Sequence, residues 1–323
     1  MMLIPVLLFI LGLLLLIKGG DWFVDGASGL AHRFHLPELL IGATVVSIGT
    51  TLPEAMVSAQ AALAHNSGIS YGNAIGSIIC NTSLIAALTI AIRPSGVNKK
   101  TLRFPVAAFF VAAAFYAGVA YTTGSFERRH GILLLCVFVV YMVITVLQMK
   151  KSPEQEGAGE SEPEKERALW LDLVLLVAGA VAIAVGANLL VDNGTKIAAT
   201  LGVPDSVIGL TMVALGTSLP ELVTAITALA KGHSALSLGN IIGANLFNLV
   251  LVAGTAITIS PFSIPAEKTL FGINSSLLVD LPVMLFAMAI LCIPALRQGK
   301  LNRWQGILLL AIYASFTVYQ FCI

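Results

Sequence analysis

GTTLPE at residues 49–54 and GTSLPE at residues 216–221 decide how this chain is built. They lie 167 residues apart, and the same offset lays GNAIGSIICN (72–81) on GNIIGANLFN (239–248). Aligned at that spacing without a gap, residues 37–86 and 204–253 are identical at 20 of 50 positions. The match reaches back into the preceding apolar run, where Val24 and Asp25 meet Val191 and Asp192. Because the shared positions include Gly, Pro, Thr, Asn and Glu, a common bias toward Leu and Ala does not explain them. The chain is an internal repeat.

The repeat sits in a lipid-like composition. Of 323 residues 57% are hydrophobic and 11% charged, with net charge +1 and mean hydropathy +0.92. A soluble domain carries roughly 25% charge, so a cytosolic enzyme is excluded. A disordered chain needs low hydrophobicity and a nucleic-acid binder a surplus of Lys and Arg, so neither fits. An outer-membrane barrel would alternate apolar and polar residues, whereas the run 131–147 is unbroken. Ten segments are long and apolar enough to span a bilayer: about 2–18, 36–64, 70–92, 104–122, 130–149, 168–191, 204–230, 235–258, 281–296 and 304–322. The first is read as a span rather than a signal peptide, since no basic residue precedes it and no small-x-small site follows. Cys80, Cys136, Cys292 and Cys322 lie in or beside apolar runs without metal spacing and are read as packing or lipid-facing residues. The five histidines lie near span ends, with no HExxH.

With the N-terminus outside, the loops on the inner side collect 14 of the 18 basic residues, leaving Arg128, Arg129, Lys196 and Lys268 opposite. That asymmetry places both termini on the extracytoplasmic side. The polar stretch 150–167, with six glutamates, reads as a solvated linker. It separates a first five-helix unit, 1–149, from a second, 168–323. One period holds five spans, an odd number, so the second copy enters the membrane upside down. The expected fold is an all-α polytopic membrane protein of ten transmembrane helices in two inverted-topology repeats. Secondary transporters are built this way, with the substrate site between the copies near mid-membrane.

Glu54 and Glu221 are the acidic residues set deepest in apolar spans. Each costs about 2.5–3.5 kcal/mol at a span centre on the lenient insertion scale, and neither span offers a Lys or Arg in its middle. The missing positive charge is then a bound cation or protons. Thr50 and Thr217 precede the glutamates by four residues on the same helical face. Pro53 and Pro220 each free a carbonyl one turn back, at Gly49 and Gly216, which suits a hard cation that takes oxygen ligands. Gly72, Gly76, Gly239 and Gly243 permit close helix packing. Asn81, Asn248 and Ser77 bring polar groups into the spans, as ligands or as interhelical hydrogen bonders.

These paired motifs resemble the two alpha-repeats of the calcium/cation antiporter superfamily, in particular its prokaryotic sodium/calcium exchangers. The resemblance covers essentially the whole chain. It implies that spans 2, 3, 7 and 8 form the ion site and that spans 1 and 6 form a long tilted pair that slides to alternate access. It implies Glu54, Glu221, Thr50 and Thr217 as metal ligands, with Ser47 and Ala214 at backbone-ligand positions, Ser77 at a sodium-ligand position and Asn81 as a central polar residue. The chain departs from the family pattern at Ala244 and Asn248, where a Ser and an Asp are usual, and at Ile78, where an Asn is common although Asn245 keeps it in the other copy.

With at most two negative charges, the site is neutralised by one Ca²⁺, two Na⁺ or two protons. An empty site crossing the membrane is disfavoured by several kcal/mol, roughly a thousandfold, which favours exchange over leak. Losing a hydroxyl at Ala244 and a carboxylate at Asn248 points to weaker sodium binding and fewer coupled sodium ions than in the archetype, or to partial use of protons. The expected activity is Ca²⁺/Na⁺ antiport across the cytoplasmic membrane, with Ca²⁺/H⁺ antiport as the alternative. The expected partners are these ions and the bilayer, with no cofactor, no nucleic acid and a monomer as the working unit. A channel would need a continuous pore and an intramembrane enzyme a nucleophile with its base or a zinc site.

Overall fold

The computed structural model describes residues 2–151, 168–201, 216–265 and 269–322. Among these lie ten helices: α1 (Leu3–Arg33), α2 (Glu38–Leu63), α3 (Ser67–Ile92), α4 (Lys99–Thr123), α5 (Arg128–Lys151), α6 (Leu169–Thr200), α7 (Leu219–Ala230), α8 (Ser234–Ile259), α9 (Ser276–Gln298) and α10 (Arg303–Cys322). Eight of them are long and apolar enough to cross a membrane. Their outer faces carry exposed Leu, Ile and Val, as lipid-facing surfaces do. The linker residues 152–167 and the first part of the seventh expected span fall outside the described residues.

α1 and α6 are 31 and 32 residues long, well beyond the apolar runs 2–18 and 168–191. At 1.5 Å per residue each is about 46–48 Å long, so each overshoots a hydrocarbon core of about 30 Å. Hydropathy ends early because Lys18, Asp21 and Asp25 in α1, and Asp192, Asn193 and Lys196 in α6, are polar, yet none of them breaks a helix.

The two long helices pack antiparallel through glycines. A Cβ at Gly12 would lie 2.8 Å from the Gly186 oxygen, and one at Gly186 would lie 2.8 Å from that of Gly12. Add 167 to the first residue and subtract it from the second, and the pair becomes Gly179 on Gly19, where the same approach recurs at 2.8 and 3.0 Å. Two contacts that exchange with each other when the copies are swapped flank a two-fold axis. Here the helices run in opposite directions, so the copies are inverted. Lower on the pair, Arg33 meets the buried carboxylate of Asp172 at 3.6 Å.

The same exchange holds elsewhere. The loop after α3 pairs with the loop after α9 through the Gly96–Lys300 bridge, and at the opposite end β1 (Ser125–Phe126) pairs with β2 (Phe262–Ser263). A short hairpin of β3 (Thr269–Leu270) and β4 (Ile273–Asn274) precedes α9. α3 and α8 each open into a π-helical stretch, Asn81–Ala86 and Asn248–Ala253, again 167 residues apart. The repeat therefore extends to the hydrogen-bond register of the backbone.

α2 runs through Pro53 without a break, although the proline frees a carbonyl one turn back. Proline removes a single ladder bond, and the flanking turns hold. The loosening lies upstream, in a π stretch at Gly42–Val46. Side chains satisfy its carbonyls: Ser47 donates to Gly42 O at 2.7 Å and Tyr141 to Ala43 O at 3.1 Å. In the second copy Pro220 falls in the first turn of α7, a position where proline costs no hydrogen bond.

Candidate functional site

The site forms where the first motif helix of one copy lies against the second motif helix of the other. Small residues make this possible. A Cβ at Gly239 would collide with the Leu39 carbonyl, and one at Gly243 would lie 2.6 Å from Ala43 Cα. Gly42 meets the Leu236 carbonyl in the same way. With nothing larger between them, α2 and α8 approach backbone to backbone.

Glu54 on α2 and Glu221 on α7 are fully buried, and none of their four carboxylate oxygens has a hydrogen-bond partner. Their carboxyl groups face each other. Ser77 stands beside Glu54, and Thr50 and Thr51 stand beside Glu221. A buried, uncompensated charge costs several kcal/mol, and the groups named beside the two carboxylates among the described residues are hydroxyls, so the arrangement can take a positive guest. Among the described residues no group of three or more His, Cys, Asp and Glu is gathered. The donors are therefore two carboxylates and neutral oxygens, a set suited to hard cations.

Of the residues singled out from sequence, the structure brings together Glu54, Glu221, Thr50 and Ser77. Thr50 stands beside the glutamate of the opposite copy, a neighbour that spacing along one helix does not show. Ser47, one turn back, donates to Gly42 O at 2.7 Å and lies 2.9 Å from Asn240 O. Asn81 and Asn248 are fully buried at the starts of their π stretches. Neither polar atom of Asn81 is partnered, and Asn248 gives its Nδ2 to Ala244 O at 3.1 Å while its Oδ1 stays free. Thr217 lies partly exposed in the turn before α7, and no hydrogen bond among the described residues joins it to either glutamate. Ala214 lies outside the described residues. Asn245 donates to Thr82 Oγ1 at 2.8 Å and to Met288 Sδ at 3.2 Å.

Four polar residues in or around the site were not singled out from sequence. Thr51 and Ser218 carry buried hydroxyls without a partner. Asn73 donates Nδ2 to Glu54 O at 3.0 Å and to Ser58 Oγ at 2.8 Å, and Asn240 accepts from Thr50 Oγ1 at 3.2 Å. The signal for the asparagines was present, since they are the second residue of GNxIG in both copies.

The long pair abuts this site directly. Phe23 of α1 packs on Gly49, where a Cβ would lie 2.8 Å from its ring, and Val191 of α6 packs on Gly216 at 2.5 Å by the same measure. Phe23, Thr50, Pro53, Ile183 and Pro220 line the seam between pair and core.

Two inverted five-helix copies around a buried pair of carboxylates define a membrane cation exchanger. The family described as sodium/calcium exchanger protein matches residues 4–147 and 171–322, and the chain belongs to it. The solved structure of the sodium-calcium exchanger NCX_Mj soaked with 2.5 mM Na⁺ and 10 mM Sr²⁺ superposes with a TM-score of 0.82 at 36% identity, covering 97% of this chain and 98% of that one. A membrane protein of Methanocaldococcus jannaschii is 38% identical over 97% of each chain, and the sodium/calcium exchanger MaX1 of Methanosarcina acetivorans is 33% identical over 98% of each. This is a transporter and not an enzyme.

Proposed function

We propose that the protein exchanges Ca²⁺ for Na⁺ across the cytoplasmic membrane by alternating access, as a monomer, with both termini on the extracytoplasmic side. The observation that carries this reading is the facing pair Glu54 and Glu221, fully buried and without protein partners. One Ca²⁺ or two Na⁺ neutralises the pair, so either load can cross while the empty site is held back. Glu54, Glu221 and Thr50 act as shared ligands, with Thr217 joining from the second copy and Ser77 beside Glu54. Ser47 and Ala214 contribute main-chain oxygens, and Asn81 and Asn248 line the centre. The positive-inside asymmetry of the loops supports the orientation.

A second reading, Ca²⁺/H⁺ exchange, is favoured by one observation. The fully buried Ala244 and Asn248 offer no hydroxyl and no third carboxylate for an additional sodium ion, and two protons balance the pair as well as two sodium ions do. Calcium flux from reconstituted vesicles, driven separately by sodium and by pH jumps at clamped voltage, decides between them. Sodium-driven flux is expected, and flux that follows only the pH jump would replace the first reading by the second. Glu54→Gln and Glu221→Gln are each expected to abolish calcium transport. Wild-type rates in either variant would remove the glutamate pair from the mechanism.

A further inference from the structure

A threonine hydroxyl has one proton and two lone pairs, and it can serve a cation only if that proton is directed elsewhere. Inside a helix the usual recipient is a carbonyl of the preceding turn. For Thr50 that recipient is poor, since Ser47 O lies 3.5 Å away. The shorter contact is to Asn240 Oδ1, at 3.2 Å, on α8 of the other copy and 190 residues away. Asn240 is fully buried, its main-chain oxygen lies 2.9 Å from Ser47 Oγ, and its Nδ2 has no partner. Its counterpart Asn73 does different work, donating to Glu54 O and to Ser58 Oγ. Identical residues in the two copies thus perform separate tasks in this state.

We propose that Asn240 is a positioning residue of the ion site, which takes the Thr50 proton and so turns the Thr50 lone pairs toward the cation held by Glu54 and Glu221. The inference rests on the reading of that pair as the calcium site and adds a dependence on docking. Thr50 is a competent ligand only while α2 lies against α8, because the acceptor belongs to the opposite copy. Ion affinity is thereby tied to the arrangement of the two repeats through a single hydrogen bond.

The test is a double-mutant cycle on the full-length protein in detergent, with ⁴⁵Ca²⁺ equilibrium binding as the readout. Thr50→Val and Asn240→Leu are each expected to weaken calcium binding roughly tenfold, the worth of one hydrogen bond to a charged centre. In the Thr50→Val background Asn240→Leu should cost less than about twofold, because the proton it receives is gone. Asn240→Asp, which keeps the acceptor oxygen, should bind more tightly than Asn240→Leu. Equal losses from Asn240→Leu in both backgrounds would overturn the proposal and leave a packing role. If Asn240→Leu does not elute as a folded monodisperse species, Asn240→Ala carries the same cycle. Glu221→Gln separates the two levels. Loss of binding in Glu221→Gln together with an additive cycle removes Asn240 alone, whereas unchanged binding in Glu221→Gln removes the site reading itself.

Discussion

Asn248 shows how much one atom decides in this site. It is fully buried with a free Oδ1, and a carboxylate in its place would give the cavity a third negative charge. Asn248→Asp combined with Ala244→Ser is therefore expected to bind Na⁺ more tightly, by roughly tenfold for one added charge-assisted contact. The charge moved per calcium should rise with it, measured as current in voltage-clamped vesicles. An unchanged current would mean that the two positions lie outside the sodium path. At this scale the sequence disclosed the charges but not their company. Glu54 and Glu221 stand out in apolar spans because charge is rare there, whereas Thr51, Ser218, Asn73 and Asn240 look like ordinary small polar residues until the fold buries them around the site. The hydrogen bond from Thr50 to Asn240 was hidden for the same reason, since helical spacing reports neighbours on one helix and says nothing of the helix opposite.

Among the elements, the tightest fit is α2 against α8. Gly239→Ala would place a methyl group against the Leu39 carbonyl, and overpacking of this kind costs about 1–3 kcal/mol. A lower melting temperature in detergent is expected, while Gly118→Ala on α4, where a Cβ meets nothing within 4 Å, should leave it unchanged. A second element-scale asymmetry lies at the end of α7. Lys231 Nζ reaches Asp25 Oδ1 at 2.6 Å and the Asp21 main-chain oxygen at 3.1 Å, joining the core to α1. The repeat equivalent of Lys231 is Ala64, which can form no such pair, so the tie exists on one side only. Partly exposed pairs contribute up to about 1 kcal/mol. Lys231→Ala is accordingly expected to change the ratio of apparent calcium affinities on the two membrane faces by up to roughly fivefold, read in vesicles of defined orientation. Hydropathy located the helices because burial in lipid is a property of composition. It missed the length of α1 and α6, whose polar turns continue as helix, and it missed the π stretches, because the choice between i+4 and i+5 bonding leaves no mark on an apolar pattern.

For the whole molecule, the inverted architecture was legible because an odd number of spans per period leaves no other way to thread the second copy. Residues 152–167 join the halves with six glutamates and no motif. Deleting most of them is expected to leave the transport rate within about twofold of the intact protein, since the closure entropy of a connection changes only slightly with its length. The glycine seam between α1 and α6 has a further consequence, which concerns the order of synthesis. α1 leaves the ribosome five helices ahead of α6. At about 5–20 residues per second, the glycine face of α1 waits on the order of ten seconds in the bilayer before its partner exists. The first half thus completes translation as an unfinished object, and its last step of assembly is supplied by the second. Halves 1–151 and 168–323 made together as separate chains should meet through this seam and restore calcium transport, whereas either alone should be degraded, as pulse-chase labelling in cells would reveal. The seam that joins the two copies is also a checkpoint in time, closed only once the second copy has begun to be made.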